Sequence, residues 1–197
     1  MVDHLSPTSI GMWNRCPRQY HYRYILGVKM PPPGVFIVGG SYHAATEAWG
    51  NHKLETGRDM AADEMADYYC EAFKVRAERE DVNWEGESPV SERDRGVRLV
   101  RGFRRVRASQ LQPVWVEKEV DVDILGADGQ ALGKLKQRLD CYSRDNVVRD
   151  FKTASKKPSA ADVADNQQLT SYYGAAKVHL ASEGIVTDPL VALETAV

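Results

Sequence analysis

The feature that most constrains the fold is a change of hydrophobic period just past the middle of the chain. Up to that point apolar side chains recur at helical spacing, and after it three segments alternate apolar and polar residues. The segments are residues 114–125, 131–143 and 146–153, separated by the turn sequences GADGQ and RDN. Alternation with period two is typical of half-buried strands, and such turns fold consecutive strands against each other. The pattern therefore predicts a three-strand antiparallel meander.

Capping and periodicity signals predict helices before and after the meander. Ser6 and Pro7 suit the start of the first helix, and Gly184 suits the end of the last one. The predicted helices cover residues 6–15, 18–25, 58–80, 92–109 and 156–184, with another after a turn within residues 35–57. Residues 186–197 form a last predicted strand.

Together these elements predict an α/β (α+β) fold, in which a mixed central sheet contains the antiparallel meander and is flanked by helices. A chain of 197 residues can bury a sizeable core as one domain. We expect residues 1–197 to form that single domain, with a mainly helical part in residues 1–110 and the sheet with its following helix in residues 111–197.

Composition narrows the class of protein without indicating one function. Hydrophobic residues make up 43% of the chain and charged residues 27%, as in globular proteins. No apolar run reaches the roughly 20 residues that a membrane helix needs, and the amino terminus lacks a secretion signal, so we expect a cytoplasmic protein. A net charge of −2 leaves nucleic-acid binding to local basic patches. The three cysteines lack the CxxC spacing of a zinc site.

Charged residues gather where the predicted meander ends. Asp150 and Lys152 are two residues apart in a strand, so they face the same side while Phe151 turns toward the core. The RDN turn brings Asp140 beside Asp150 on the neighbouring strand. Paired carboxylates repel each other unless a cation lies between them, and Mg²⁺ or Mn²⁺ is the usual ion with oxygen ligands. Lys152 could then orient a water or stabilise a phosphate; the alternative is a solvated ion pair worth at most ~1 kcal/mol.

The segment LKQRLDCYSRDNVVRDFKT resembles the core of the PD-(D/E)XK nuclease superfamily. Within it, the segment is most similar to the RecB-like exonuclease branch, which is related to CRISPR-adaptation and AddB-type nucleases. The resemblance implies a restriction-endonuclease-like core in which Asp140 and Asp150 hold the metal and act in catalysis with Lys152. In that branch the first Asp follows a Gly-x-hydrophobic step, and Gln137 stands where the Gly is expected.

Two helical segments resemble further motifs of the same branch. GGSYHAATEAW resembles its upstream G-x-x-H motif, which implies that His43 is another metal ligand, with Gly39 or Gly40 at a turn. QQLTSYY resembles its Q-x-x-x-Y motif, which implies that Gln168 and Tyr172 contact the DNA backbone or support the catalytic lysine. Without the resemblance, the same residues suit a packed histidine and an ordinary amphipathic helix.

The amino-terminal segment LSPTSIGMWNRCPRQYHYRYI resembles a signature in which some relatives use the cysteine of Cys-Pro to hold a [4Fe–4S] cluster. Cys16 fits that position, but three later cysteines are needed and none follows Cys141. We therefore expect no cluster in this chain and interpret Cys16 as a small buried apolar residue. Cys16 would be a cluster ligand only if the sequence is part of a longer protein.

Two basic segments are candidate DNA contacts. Arg98, Arg101 and Arg105 lie on one side of the predicted helix over 92–109, where they suit either phosphate contact or a solvated face. Arginines and tyrosines interleave within residues 15–24, where they suit either stacking on a single strand or packing.

The sequence thus predicts a Mg²⁺- or Mn²⁺-dependent deoxyribonuclease, most closely an exonuclease for recombination or repair in a bacterial or phage-infected cytoplasm. DNA is the expected partner, and Glu117 and Glu119 are second-rank candidates for the acidic site. The chain has no P-loop, so a helicase or recombinase would be a separate protein. The alternatives are a non-catalytic DNA-binding or assembly module on the same fold and a structure-specific endonuclease.

Overall fold

A computed structural model describes residues 4–79 and 81–197. Its α-helices are α1 Pro7–Arg15, α2 Pro17–Tyr20, α3 Gly34–Thr56, α4 Ala62–Arg79, α5 Pro89–Val106, α6 Ala160–Ala164 and α7 Gln167–Ser182. Its strands are β1 Pro113–Leu125, β2 Ala131–Ser143, β3 Val147–Thr153 and β4 Leu190–Ala196. A π-helical turn, His21–Ile25, follows α2, and a 3-10 turn, Ala108–Gln110, precedes β1. The predicted helix end at residue 80 and residues 1–3 of the predicted helical part lie outside the described residues.

The four strands form one mixed sheet in the order β1-β2-β3-β4. β1 pairs with β2, and β2 with β3, in antiparallel fashion, which confirms the predicted meander. β4 runs parallel to β3, because α6 and α7 carry the chain back along the sheet before β4 begins. The predicted mixed sheet with flanking helices is therefore confirmed.

Two hydrophobic cores cover the two faces of the sheet. In the first, α3, α4 and α5 pack against β3, and the Phe103 ring centre lies 5.1 Å from that of Trp49 and 5.4 Å from that of Phe151. In the second, Leu139 of β2 and its neighbours pack against Tyr172 of α7. Phe151 is buried, as the alternation along its strand predicted.

Helix ends follow local capping signals. The Ser6 hydroxyl accepts the N–H of Ser9 at 3.1 Å, and Pro7 occupies the first helical position, so α1 begins as predicted. Gly184, with a φ of +78°, follows α7 and ends it. Within the described ranges, no helix is both long and apolar enough to cross a membrane.

Several predicted helix boundaries were wrong. Helix α4 begins at Ala62 rather than at residue 58, and α5 ends at Val106 rather than at residue 109. The helix over residues 156–184 is two helices, because the Asn166 side chain accepts the N–H groups of the second and third residues of α7 and starts a new helix there. Gly39 and Gly40 lie inside α3 rather than at a turn. The helix predicted from residue 92 begins at Pro89, whose ring suits a first helical position.

Candidate metal centre

Asp140 and Asp150 lie on neighbouring strands where the pairing of β2 with β3 stops. The last pair on this side is Cys141 with Arg149. Beyond it, the N–H of Phe151 donates to Asp140 Oδ2 at 2.7 Å. Both carboxylates are buried, so the hairpin brings two acidic groups together out of solvent.

Helix α3 places His43 beside these carboxylates. Its Nδ1 is 3.5 Å from Asp140 Oδ2 and 3.5 Å from Glu117 Oε1. One ligand atom from each of these three residues lies within 4.8 Å of the other two, which is close enough to share a metal ion. Burial alone lowers the pKa of His43, but the hydrogen bond with Glu117 and the charges of Asp140 and Glu117 outweigh it and raise the pKa above its ordinary value. A positive charge is thus favourable at this point.

Glu117 belongs to the cluster, although the sequence made it only a second-rank candidate. Its φ of +48° is a left-handed conformation that costs energy for a residue with a side chain. The Arg138 guanidinium pairs with its second carboxylate oxygen. Glu119, the other second-rank candidate, lines a neighbouring cleft instead. Alternation along β1 could not separate the two glutamates, because an irregular backbone decides which one joins the cluster.

Lys152 and Gln168 both contact Asp150. The Lys152 ammonium lies 2.8 Å from Asp150 Oδ1, and the Gln168 amide donates to the same oxygen at 3.2 Å. Gln168 also donates to the Tyr172 hydroxyl at 3.0 Å, and that hydroxyl donates to the backbone carbonyl of Arg138 at 2.7 Å. Helix α7 therefore holds the Asp150 carboxylate and is tied to the strand that carries Asp140.

The electrostatics of the cluster suit a bound cation. Burial is the main reason that the pKa of Asp140 is raised to about 7; the charges of Asp150 and Glu117 add to the effect, and His43 opposes it. Asp150 Oδ2 is buried and has no hydrogen-bond partner in the described part of the chain, which is costly for a carboxylate oxygen. Carboxylate and imidazole ligands at this spacing fit a divalent ion that would compensate both effects.

The three α5 arginines that are predicted DNA contacts lie away from the cavity around His43. Arg98 and Arg105 line a cavity beside the end of β4, and Arg101 pairs with the exposed Asp63 of α4 at 2.7 Å. None of the three lines the cavity around His43. Their role in DNA binding stays a prediction.

Two arginines that the sequence analysis did not single out line the cavity around His43. They are Arg76 of α4 and Arg138 of β2. Arg138 also lies 3.2 Å from Glu47 of α3. Arg138 could have been identified from the sequence, because it is two residues from Asp140 and both face the same side of a strand. Arg76 could not, because it lies in a helix rich in acidic residues whose sequence contains no pattern that points to the site.

A mixed sheet that brings a histidine, three carboxylates and a lysine together fits the class of metal-dependent nucleases. The comparison with known families agrees, because the model described as the PD-(D/E)XK nuclease superfamily matches residues 4–193. The chain belongs to the PD-(D/E)XK nuclease superfamily, whose members use divalent metals and act on DNA, and the expected restriction-endonuclease-like fold is confirmed. No curated protein matches the chain.

Proposed function

We propose that the protein is a Mg²⁺- or Mn²⁺-dependent deoxyribonuclease of the RecB-like branch and that it acts as an exonuclease. The observation that carries the proposal is the juxtaposition of His43, Glu117 and Asp140, with ligand atoms within 4.8 Å of one another, and the pair of Asp150 and Lys152 on the adjoining strand. Metal ligands beside a lysine suit phosphodiester hydrolysis better than binding alone.

Each residue of the centre has a distinct role in this proposal. His43, Asp140 and Asp150 hold the metal, and Glu117 is a further ligand. The bound divalent ion supplies Lewis-acid stabilisation of charge on the scissile phosphate. Lys152 is held against Asp150 with its side chain partly exposed, so its ammonium can orient a water or stabilise charge on the phosphate.

The surrounding polar residues position this machinery. Gln168 fixes Asp150 through a hydrogen bond of 3.2 Å, and Tyr172 links Gln168 to the strand that carries Asp140. Arg76 lines the same cavity as His43, where a guanidinium suits contact with the DNA backbone.

The branch and the cellular setting belong to the same proposal. The chain order of His43, the Asp140–Asp150 hairpin and Gln168 supports the RecB-like branch. We place the activity in recombination or repair in the cytoplasm, with residues 1–197 acting as one domain and any helicase or recombinase as a separate partner. Cys16 lacks the three later cysteines of a [4Fe–4S] site, so no cluster forms within these residues.

Digestion of end-labelled linear DNA and closed circular DNA tests the proposal. With Mg²⁺ or Mn²⁺ the wild-type protein should shorten linear DNA from its ends and leave circles intact, and EDTA should stop the reaction. Asp150→Asn and Lys152→Ala should each lower the rate by roughly 10²–10⁴-fold, with thermal unfolding measured to confirm that both variants are folded.

Asp123→Asn and Lys134→Ala are matched controls, because this exposed pair lies on the β1–β2 hairpin with 3.8 Å between its charged atoms. Both variants should digest DNA at the wild-type rate. Cleavage of circular DNA by the wild-type protein would show that it is an endonuclease rather than an exonuclease. A folded wild-type protein without metal-dependent digestion would instead be a DNA-binding module.

A further inference from the structure

The segment from Trp13 to Phe36, here called the basic arm, has an unusual charge distribution. The chain contains 28 acidic residues and has a net charge of −2, yet no Asp or Glu occurs between Asp3 and Glu47. The arm itself carries four basic residues, Arg15, Arg18, Arg23 and Lys29. The arm is therefore a positively charged segment without acidic residues in a slightly acidic protein.

The basic side chains of the arm are exposed and available to a ligand. Arg15 donates to Gln19 at 2.9 Å, and Arg18 donates to the Tyr22 hydroxyl at 3.4 Å. No carboxylate within residues 4–79 and 81–197 forms an ion pair with any of the four. Exposed basic groups without acidic partners suit an anionic partner.

Aromatic side chains of the arm are divided between packing and exposure. Tyr20 is buried, and its ring centre lies 5.4 Å from that of Trp13. Trp13, Tyr22 and Phe36 are 52%, 43% and 67% exposed. The Arg18 guanidinium lies 5.8 Å from the Tyr22 ring centre, so a basic group and an aromatic face are presented together.

Both ends of the arm adjoin the candidate metal centre. Near its start, Asn14 donates to the side chain of Gln167 at 3.1 Å, next to Gln168 of the centre. At its end, Phe36 and His43 are seven residues apart in α3. Seven residues are about two helical turns, so the two side chains share one face, about 10 Å apart along the axis. A strand lying on the arm would thus be a few nucleotides from His43.

We propose that the basic arm binds single-stranded DNA and guides it to the metal centre. The rings of Trp13, Tyr22 and Phe36 stack on bases while the arginines contact phosphates, a combination typical of single-strand-binding surfaces. A duplex keeps its bases stacked inside and cannot offer them to these rings. Exposed apolar residues of the arm such as Leu26 also suit a protein partner, but they do not account for the absence of acidic residues. The inference rests on the proposed nuclease function.

Fluorescence anisotropy with labelled oligo-dT and with a duplex of the same length tests this inference. Ca²⁺ is present to neutralise the carboxylates, and a gel confirms that the DNA stays intact. The triple variant Trp13→Ala, Tyr22→Ala and Phe36→Ala should weaken oligo-dT binding by at least roughly tenfold and change duplex binding little. Tyr68→Ala is the matched control, because it removes a half-exposed ring from α4 outside the arm.

The salt dependence of binding tests the arginines separately. The variant Arg15→Ala, Arg18→Ala and Arg23→Ala should lower the slope of log affinity against log salt by roughly 0.7 for each phosphate that these arginines neutralise in the wild-type protein. Arg93→Ala, which removes an exposed arginine of α5, should leave the slope unchanged.

Several outcomes would overturn the inference. Wild-type protein that does not bind oligo-dT, or arm variants that bind it as tightly as the wild type, would do so. If the arm variants weaken duplex binding as much as oligo-dT binding, the preference for single strands is overturned. If the arm variants bind DNA like the wild type but differ from it in molecular mass in solution, the arm is a protein interface instead. Binding is measured without cleavage, so the two proposals can fail separately. If the wild-type protein digests no DNA but binds oligo-dT, and the arm variants lose that binding, only the nuclease proposal is contradicted. Normal digestion with unaltered binding would contradict the arm proposal alone.

Discussion

The Tyr172 hydroxyl shows how single atoms can organise the centre from outside it. It donates to the backbone carbonyl of Arg138 at 2.7 Å, accepts from Gln168 at 3.0 Å and lies 3.4 Å from Asp140 Oδ1. Burial, followed by the charges of Asp140 and Asp150, raises the pKa of Tyr172 above its ordinary value, so the hydroxyl stays protonated at neutral pH. It can therefore hold the strand carrying Asp140 and the amide contacting Asp150 in fixed positions.

We predict that Tyr172→Phe weakens Mn²⁺ binding, and with it DNA digestion, by roughly 10–100-fold, because groups that orient metal ligands contribute about that much. Calorimetric titration measures the Mn²⁺ affinity, and the digestion rate at a subsaturating Mn²⁺ concentration measures the loss of activity that follows from it. The change keeps the ring, so the second hydrophobic core should remain packed.

Tyr173→Phe is the control for this prediction. Its hydroxyl donates to Asp188 at 2.6 Å on the exposed side of α7, so its loss should leave Mn²⁺ affinity unchanged. Equal effects of Tyr172→Phe and Tyr173→Phe would show that Tyr172 has no positioning role.

At the scale of elements, the packing of α5 on α4 depends on one of two glycines in α5. A Cβ at Gly96 would lie 1.9 Å from the Tyr69 hydroxyl, whereas a Cβ at Gly102 would meet no atom within 4 Å. Tyr69 is buried and packs on Phe73 with 5.9 Å between ring centres, so it has little room to move. The two helices can approach only where residue 96 lacks a side chain.

We predict opposite effects of the same substitution at these two positions. Gly96→Ala should lower the free energy of unfolding by about 1–3 kcal/mol through overpacking. Gly102→Ala should raise it by about 0.4–1 kcal/mol, because alanine is the better helix former. Urea denaturation of both variants measures the difference, and Gly102→Ala is the matched control. Similar stability of the two variants would contradict the account of the α4–α5 contact.

The elements that local sequence could predict are those fixed by local geometry. The period of two placed Asp150 and Lys152 on one side of a strand with Phe151 buried, and the RDN turn placed Asp140 on the strand beside them. These features depend on neighbours in the chain, so sequence spacing contains them. The break at Asn166 was missed because one capping residue interrupts an otherwise continuous helical pattern.

Features that depend on distant parts of the chain could not be predicted in this way. Gly39 and Gly40 suggested a turn, yet they lie in α3, where a Cβ at residue 40 would lie 3.0 Å from the Arg76 guanidinium carbon. Tertiary contact thus overrides the weak helix propensity of glycine. His43 was named only through a family resemblance, because the docking of α3 on the sheet leaves no local pattern. The place of Glu117 depends on a left-handed backbone that alternation does not predict.

At the scale of the whole molecule, a partly buried ion pair joins three separate parts of the chain. The Lys53 ammonium, on α3, lies 2.9 Å from Asp59 Oδ1 and 2.9 Å from the Ala108 carbonyl. The Trp49 indole donates to the same Asp59 oxygen at 2.9 Å. The pair therefore connects α3, the segment before α4 and the 3-10 turn before the sheet.

The pKa of Asp59 determines how this pair contributes to stability at different pH values. Burial alone raises that pKa, but the hydrogen bonds from Lys53 and Trp49, together with the Lys53 charge, outweigh it and lower the pKa below its ordinary value. A carboxylate with a lowered folded-state pKa stabilises the protein above its unfolded pKa of about 4, and this contribution is lost as the pH falls through the folded value.

We predict that Asp59→Asn lowers the free energy of unfolding at neutral pH by roughly 2–4 kcal/mol, because it leaves the buried Lys53 charge without its partner. The difference in unfolding free energy between wild type and variant should narrow as the pH falls from neutrality to below 4, since the wild-type Asp59 carboxyl becomes protonated there. Urea denaturation across that range measures the gap. Asp63→Asn is the control: it breaks an exposed pair with Arg101, so it should change stability little at any pH. A gap for Asp59→Asn that stays constant with pH would mean that the Asp59 carboxylate is important for its shape and hydrogen bonds rather than for its charge.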